Sequence, residues 1–199
     1  MDFRLAPLGD SAFLIQLDFS DASDALRRTG VVLRLAARLR QSGRFLDVVP
    51  AYASVAVHYD LLAWALAEPD ILPAERVAAT LRTLLAELAN QANQLEPLVG
   101  RSIEIPVCYG DDYGPDLTTL AEARGLSVAE VIARHSAPTY TVAFLGFLPG
   151  FPYLIGLDAA LATPRRDTPR LQVPAGSVAV GGAQTGIYPS ESPGGWWLL

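Results

Sequence analysis

Hydrophobic residues in the first half of the chain recur with two different periods. Polar and apolar residues alternate over Phe3–Leu5 and Ala12–Leu17, two predicted strands on either side of the turn residues Gly9-Asp10. Leu46–Val49 and Ala53–His58 are a second pair of short strand-like runs. The spacing therefore predicts a hairpin near the N-terminus and a second strand pair further along.

Helical periods separate these strand pairs. Apolar residues fall on one face of Asp21–Gln41, where Ser20 or Asp21 can cap the start and Gly43 can end the helix. Pro73 opens a second amphipathic helix. The predicted inward-facing residues are Ala25, Val32, Leu35, Ala36 and Leu39, then Val77, Leu81, Leu84, Leu85 and Leu88. The order β-β-α-β-β-α predicts a compact α/β sandwich domain over residues 1–96.

The pattern changes over residues 97–199. Arg101–Cys108 alternates as a strand, and Asp116–Arg124 and Ser127–His135 predict two short helices. Between Gly146 and Gly195 fall 9 of the 16 Gly and 7 of the 15 Pro. This density excludes long helices and predicts short strands with tight turns, as in a small β-barrel. The fold class is α+β, with a sandwich domain followed by a barrel domain.

The longest uncharged run, Ser136–Leu157, is long enough to raise the question of a membrane span. It includes GFLPGFPYLIGL, in which Gly and Pro recur every few residues. These residues would break a spanning helix repeatedly, so we interpret the run as a strand interrupted at a pocket wall or an interface with another chain.

Charge and composition exclude several function classes. The net charge is −6 and all 15 basic residues are Arg, so nucleic acid and anionic membranes are poor partners. The absence of Lys excludes a Walker A loop, the protein-kinase strand lysine and Schiff-base catalysis. The single cysteine, Cys108, suits a reducing compartment, and the N-terminus has no secretion signal. We therefore predict a cytoplasmic protein.

Two polar segments before the Gly/Pro-rich region are candidate sites. His135 ends a predicted helix, whose C-terminus favours an imidazolium, and His is the usual side chain for acid–base catalysis. A structural role for His135 is the alternative, and it is the interpretation we give to His58. Asp111–Asp116 brings three carboxylates to a turn, but Asp116 is more simply a helix N-cap, and we predict no metal.

Two loops are candidate ligand-binding segments. Pro164–Arg170 contains Arg165, Arg166 and Arg170, which either bind a carboxylate or phosphate or form a solvated turn with Asp167 as partner. In Gly181–Gly186 the backbone of Gly181 and Gly182 can approach a ligand, and Gln184 and Thr185 can hydrogen-bond an amide. Ordinary turns at barrel corners are the alternative for this second loop.

The ordered series of motifs is more specific than any one of them. The blocks PLGDSAFLIQL, PVCYGDDYGPDL, GFLPGFPYLIGL and PRRDTPRLQVPAGSVAVGGAQTGIYPSESPGGWW together resemble one family, which includes Kip-type kinase inhibitors, allophanate hydrolase subunit 1 and the B-type subunit of 5-oxoprolinase. The resemblance implies an N-terminal α/β domain followed by a cyclophilin-like β-barrel. Family members continue beyond GGW into a Gly-Arg-Thr-Pro segment, so a chain ending at Leu199 is expected to leave the barrel incomplete.

The resemblance also implies a function. It points to one component of an ATP-dependent 5-oxoprolinase, which opens 5-oxoproline to glutamate together with a second cyclophilin-like subunit and a TIM-barrel-like subunit. Because the chain has no Lys, ATP is expected to bind with or on a partner. Two alternatives stay open: inhibition of a sporulation-type histidine kinase by protein binding, and carboxyltransferase or allophanate-hydrolase-like amide chemistry in urea metabolism.

The hypothesis assigns roles to named residues. His135 and Gln184 are the candidate catalytic residues, His135 as proton carrier and Gln184 as a contact to the lactam. The arginines and backbone N–H groups would stabilise an anionic intermediate. The remaining predicted substrate contacts are Phe147, Phe151, Tyr153, Thr185 and Tyr188, with the aromatic rings excluding water.

Overall fold

The computed structural model describes residues 2–19, 25–90 and 100–199. Two compact units divide the chain, Met1–Gly100 and Arg101–Leu199. Among the described residues, the N-terminal unit has one cluster of buried hydrophobic residues and the C-terminal unit has two.

The N-terminal unit is a four-stranded antiparallel sheet covered by helices. The strands are β1 (Asp2–Pro7), β2 (Ala12–Asp18), β3 (Asp47–Pro50) and β4 (Ser54–His58), in the order β1-β2-β4-β3. The helices are α1 (Ala25–Gln41), α2 (Leu61–Ala67) and α3 (Pro73–Asn90). Both predicted strand pairs are confirmed, and β1 and β2 form a hairpin in register from Asp2↔Asp18 to Pro7↔Phe13.

The core of this unit follows the predicted periodicity. Val32, Leu35 and Leu39 of α1 are fully buried, as are Leu81 and Leu85 of α3. The predicted cap at Ser20 or Asp21 lies outside the described residues. Helix α2 is absent from the sequence prediction: it begins after Asp60, whose carboxylate accepts a hydrogen bond from the Ala63 backbone N–H at 3.0 Å.

The C-terminal unit opens with two short helices, both predicted. Helix α4 (Leu117–Arg124) ends at Gly125, whose φ of 65° is the left-handed conformation that favours glycine. Helix α5 (Val128–Ser136) begins at Ser127, which forms a capping box with Glu130. The capping box fixes where α5 starts, and so places His135 in its last turn.

Seven short strands follow the helices. They are β5 (Thr141–Leu145), β6 (Pro152–Ile155), β7 (Arg170–Val173), β8 (Val178–Gly181), β9 (Gln184–Ile187), β10 (Ser192–Gly194) and β11 (Trp197–Leu198). Five of them form a sheet in the order β11-β8-β9-β6-β5, and β10 pairs with β7. A 3₁₀ turn, Ala159–Leu161, precedes β7. The density of Gly and Pro thus correctly predicted short strands.

The β-barrel predicted for this unit, which was expected to be incomplete, is not closed in the described residues. The five-stranded sheet has two open edges, β5 and β11, and β7 and β10 pair only with each other. Closing a barrel requires the edge strands to pair, and a pattern of short strands and turns does not specify that pairing. The described fold is therefore mixed α/β with several antiparallel sheets.

The strand predicted at Arg101–Cys108 is also wrong. In the part of the chain that the structure describes, this segment has no strand assignment, and Ile103 and Ile105 are 63% and 48% exposed. Alternation favours an extended backbone, but a strand exists only where a neighbour supplies hydrogen bonds.

The uncharged run forms a hairpin and not a membrane span. Strands β5 and β6 pair antiparallel, with Phe144 opposite Tyr153, and the turn between them closes through a bond from Gly146 N–H to the Phe151 carbonyl at 3.2 Å. None of the described helices is long and apolar enough to cross a bilayer.

Candidate functional site

The β8–β9 hairpin divides the predicted site residues between two faces of the sheet. Side chains on a strand alternate between faces, and paired residues share a face. Val180, paired with Thr185 and Trp197, faces the helices α4 and α5. Ala179, paired with Gly186 and Leu198, faces a cluster of aromatic rings. We call these the helix face and the aromatic face.

On the helix face, His135 is buried between α5 and β9. Its Nε2 lies 2.9 Å from Thr185 Oγ1, and its Nδ1 lies 2.7 Å from the Tyr109 hydroxyl. The rings of Tyr109 and Tyr140 flank the imidazole at 5.6 and 5.5 Å between centroids. The Tyr140 hydroxyl also donates to the His135 carbonyl at 2.7 Å, so the residue is bonded through backbone and side chain.

The hydrogen bonds define the tautomer of His135. Thr185 Oγ1 donates its one proton to the Ala179 carbonyl at 3.0 Å. His135 Nε2–H must therefore donate to Thr185 Oγ1. His135 Nδ1 accepts from the Tyr109 hydroxyl. Burial lowers the pKa of His135 to about 4, so the ring is neutral at pH 7. The imidazolium expected at a helix C-terminus is not formed, because the cost of desolvating the charge exceeds the gain from the helix dipole.

On the aromatic face, glycines let the rings lie directly on the backbone. A Cβ at Gly181 would be 2.6 Å from the ring of Trp196, and one at Gly186 would be 2.9 Å from the ring of Phe151. Neither contact leaves room for a methyl group. The group that lies against Gly181 is therefore the ring of Trp196, whereas the sequence predicted a ligand there.

The predicted aromatic residues meet on this face. Phe151 and Tyr188 are both 1% exposed and lie 5.2 Å apart, and Phe151 also contacts Tyr153 and Trp196 at 5.1 and 5.5 Å between centroids. Phe147 packs edge-on against Phe151 at 5.5 Å but is 59% exposed. Its φ of 66° is unusual for a bulky residue and marks a strained turn. Phe147 and Tyr153 are accessible, whereas Phe151 and Tyr188 form the core beneath them.

Arg166 and Arg170 converge on one buried carboxylate. Asp116 Oδ1 accepts from Arg166 Nη1 at 2.5 Å and from Arg170 Nη2 at 2.7 Å, and its Oδ2 accepts from Arg170 Nη1 at 2.8 Å and from the Leu198 backbone N–H at 2.9 Å. Asp116 occupies the predicted N-cap position of α4, but its side chain makes no cap hydrogen bond there because the arginines and the Leu198 N–H bind it. The partner expected for the arginines, Asp167, makes no ion pair among the described residues.

Arg165 differs from its neighbours. It is exposed, and its guanidinium lies over the ring of Trp196, 5.9 Å from the centroid. Within the described residues it makes no ion pair. The three arginines of this loop carry three positive charges, and Asp116 and Asp167 carry two negative ones. This group of residues therefore has one excess positive charge, although the chain as a whole is acidic.

The remaining predicted residues lie on the β8–β9 turn. Gly182, with a φ of 63°, exchanges two backbone hydrogen bonds with Thr163, at 2.7 and 3.1 Å. The Gly182 N–H is therefore already bonded and is not free to bind a phosphate. Gln184 pairs with Gly181 and is half-buried, so its side chain stands on the aromatic face with Trp196.

The structure therefore brings some of the predicted residues together and separates others. Gln184 lies on the face of the aromatic rings, and Arg165 contacts one of those rings, Trp196. His135 and Thr185 lie on the opposite face of the sheet, and Arg166 and Arg170 are paired with Asp116. Sequence reasoning missed Tyr109, Tyr140 and Trp196, and the pairing of Asp116 with the arginines. A weak signal existed for Asp116 alone: an acidic residue in an apolar context implies a cation in the same fold.

Comparison with known proteins defines the class of this fold and site. Residues 3–199 match the family described as carboxyltransferase domain, subdomain C and D, and the chain belongs to this family. Within it, the B-type subunit of 5-oxoprolinase from Bacillus subtilis (strain 168) is 38% identical over 203 residues, which cover 99% of this chain and 81% of that protein.

Two further comparisons agree. The B-type subunit of 5-oxoprolinase from Escherichia coli O157:H7 is 40% identical over 192 residues, covering 96% of this chain and 81% of that protein. The crystal structure of TTHA0988 superposes with a TM-score of 0.68 at 39% identity and covers 94% of this chain. The chain spans 34% of the length of that solved chain, so it is similar to one part of it.

Proposed function

We propose that this chain is the B-type subunit of a bacterial-type 5-oxoprolinase, which converts 5-oxoproline to glutamate at the expense of ATP and in complex with other subunits. The observation that carries the proposal is the identity of 38% and 40%, over nearly the whole chain, to 5-oxoprolinase subunits of this type. Because those relatives are named as subunits, they favour a protein that acts in an assembly. The proposed partners are a second cyclophilin-like chain and a TIM-barrel-like chain.

The aromatic face suits a small cyclic amide. A lactam is resonance-stabilised, so direct attack by water is slow, and activation of its oxygen would need a site that excludes water. The accessible rings of Phe147 and Tyr153 would cover the apolar ring carbons. Gln184, on the same face, can donate to a lactam carbonyl and accept from a lactam N–H.

ATP is best placed on a partner chain. The glycine-rich turn at Gly181-Gly182 is occupied by Trp196 and Thr163, so its geometry does not fit a phosphate-binding loop. Arg166 and Arg170 are already paired with Asp116. In this proposal the residues of this chain therefore do not carry the phosphate-transfer step.

The role we propose for His135 differs from the one expected from sequence. Both ring nitrogens are bonded within the unit, and the side chain is buried on the face opposite Gln184. A neutral imidazole bonded in this way holds β9 against α5. In this proposal His135 positions the strand that carries Gln184 and does not transfer a proton.

The test is reconstitution of the assembly. Co-expression of this chain with the two partner chains should give a complex that releases glutamate from 5-oxoproline only when ATP is present, while this chain alone should be inactive. A purified complex of verified stoichiometry that releases no glutamate would contradict the proposal.

A second candidate is carboxyl transfer to a neutral amide such as urea. The description of the matching family as a carboxyltransferase domain favours it. The same purified complex can be assayed for consumption of carboxybiotin in the presence of urea. Consumption of carboxybiotin without ATP-dependent glutamate release would favour this second function over the first.

A further inference from the structure

The three arginines of the Pro164–Arg170 loop are not equivalent. Arg166 and Arg170 are half-buried and paired with Asp116, whose side chain is 5% exposed. Withdrawing either arginine to bind a ligand would leave that carboxylate short of a partner in a poorly solvated place. Arg165 makes no ion pair in the described residues. Of these three arginines, it is therefore the one that can bind an anion without removing a partner from Asp116.

The backbone around Arg165 is fixed on both sides. Thr163 exchanges two hydrogen bonds with Gly182, and the Pro164 carbonyl accepts from Trp197 Nε1 at 2.7 Å. After Arg165, the Arg166 N–H donates to the Gly195 carbonyl at 2.7 Å. The Arg165 side chain is itself held over the Trp196 ring. A cation positioned in this way loses little conformational freedom when it binds a ligand.

Arg165 and Gln184 are related through two residues that lie near both of them, Gly182 and Trp196. Thr163 bonds to Gly182, which precedes Gln184 by two residues on the β8–β9 turn. Trp196 lies under the Arg165 guanidinium and also over Gly181, the strand partner of Gln184. Arg165 and the strand position of Gln184 therefore both adjoin the ring of Trp196.

We propose that Arg165 binds a carboxylate on the substrate while Gln184 recognises its amide. The ligand class is a small cyclic amide that carries a carboxylate. A guanidinium offers two parallel N–H donors to a carboxylate, an arrangement that a neutral amide cannot use. This inference rests on the proposed oxoprolinase function and adds to it a residue that selects the acidic lactam over neutral amides.

The experiment uses the co-expressed complex and two ligands. 5-Oxoproline carries the carboxylate, and 2-pyrrolidinone is the same ring without it. Binding of both ligands is measured by calorimetry on complexes containing wild-type, Arg165→Gln or Arg82→Gln chains, and KM for 5-oxoproline is measured where turnover occurs. Arg82 is an exposed arginine on α3 of the N-terminal unit, so it is a matched control for loss of one surface charge.

Arg165→Gln should weaken binding of 5-oxoproline, and raise its KM, by about 10- to 100-fold, the usual effect of losing a charge-assisted pair. Its affinity for 2-pyrrolidinone should stay at the wild-type value, and Arg82→Gln should match wild type for both ligands. Arg165→Lys should recover part of the affinity.

Each remaining outcome is decisive. Wild-type affinity for 5-oxoproline in Arg165→Gln would overturn the assignment of Arg165 even if the complex is an active oxoprolinase. Equal losses for 5-oxoproline and 2-pyrrolidinone would also overturn it, because the carboxylate would then not be the group recognised. Failure of the wild-type complex to bind 5-oxoproline would overturn both this inference and the proposed function.

Discussion

At the scale of single residues, contacts far apart in sequence determine what each charged group can do. The loop Pro164–Arg170 and the turn around Asp116 are separate in sequence, yet one carboxylate binds two of the loop's three arginines. Asp116 also accepts from the Leu198 N–H, and the Asp116 N–H donates to the Leu198 carbonyl. The cluster thus joins the start of α4, the arginine loop and β11.

Substitution of Asp116 should be costly. Asp116→Asn leaves two half-buried guanidinium groups without their counter-charge, so the free energy of unfolding should fall by about 3 kcal/mol. Urea denaturation followed by circular dichroism measures this change. Asp167→Asn is the control: its side chain is exposed and makes no ion pair in the described residues, so its effect should stay within about 0.5 kcal/mol. Equal effects of the two substitutions would contradict the structural role of Asp116.

At the scale of elements, the sequence pattern correctly predicted helices and hairpins that depend on residues close together in the chain. The β1–β2 hairpin follows from alternation around Gly9, whose φ is 68°, and α5 follows from the capping box at Ser127. The failures are elements whose existence depends on a distant neighbour. The alternating segment Arg101–Cys108 has the pattern of a strand but no strand assignment, and barrel closure likewise requires pairing that the pattern does not encode.

The candidate site divides in the same way. Sequence selected Gln184, the aromatic residues and the arginine loop as one group, and the structure places Gln184, Phe147, Tyr153 and Arg165 on or beside one face. It could not place Thr185, and with it His135, on the face opposite Gln184, because which face of β9 a residue occupies depends on the strand register. A shift of one residue in the pairing of Val180 with Thr185 would exchange the two faces.

The contact between His135 of α5 and Thr185 of β9 should make the free energy of unfolding depend on pH. The pKa of His135 in the folded protein, about 4, lies below the usual value near 6.5, so the unfolded chain binds the proton more tightly. The stabilisation of the folded protein by neutral His135 is therefore complete above about pH 6.5 and is lost as the pH falls toward 4. We expect a loss on the order of 3 kcal/mol across that window.

Urea denaturation at several pH values between about 4.5 and 7.5 tests this dependence. The difference in unfolding free energy between wild type and His135→Asn should shrink as the pH falls, because the asparagine does not titrate. Tyr109→Phe keeps the imidazole buried and should retain the wild-type slope, since burial is the cause of the lowered pKa. A slope that is identical in wild type and His135→Asn would show that this group does not contribute.

At the scale of the whole molecule, two units carry separate cores. The N-terminal core consists of residues from β1 to α3, and the C-terminal clusters consist of residues from Tyr109 onward. A domain with its own core and few outside dependencies is expected to fold alone. The substrate contacts that we propose lie entirely in the C-terminal unit.

Residues 1–100 expressed alone should therefore unfold in one cooperative thermal transition, measured by circular dichroism. A fragment that ends at residue 80 is the control, because it removes Leu81 and Leu85, both fully buried. That shorter fragment should lose the transition. A broad, non-cooperative melt of the 1–100 fragment would contradict the independence of its core.

The single cysteine has a practical consequence for studies of assembly. Cys108 is the only thiol of the chain and is exposed, and it directly precedes Tyr109, whose hydroxyl bonds His135. A maleimide dye would therefore attach at one known position without removal of competing thiols. Fluorescence anisotropy of that dye would report when the labelled chain joins a larger assembly, and in which order its partners arrive.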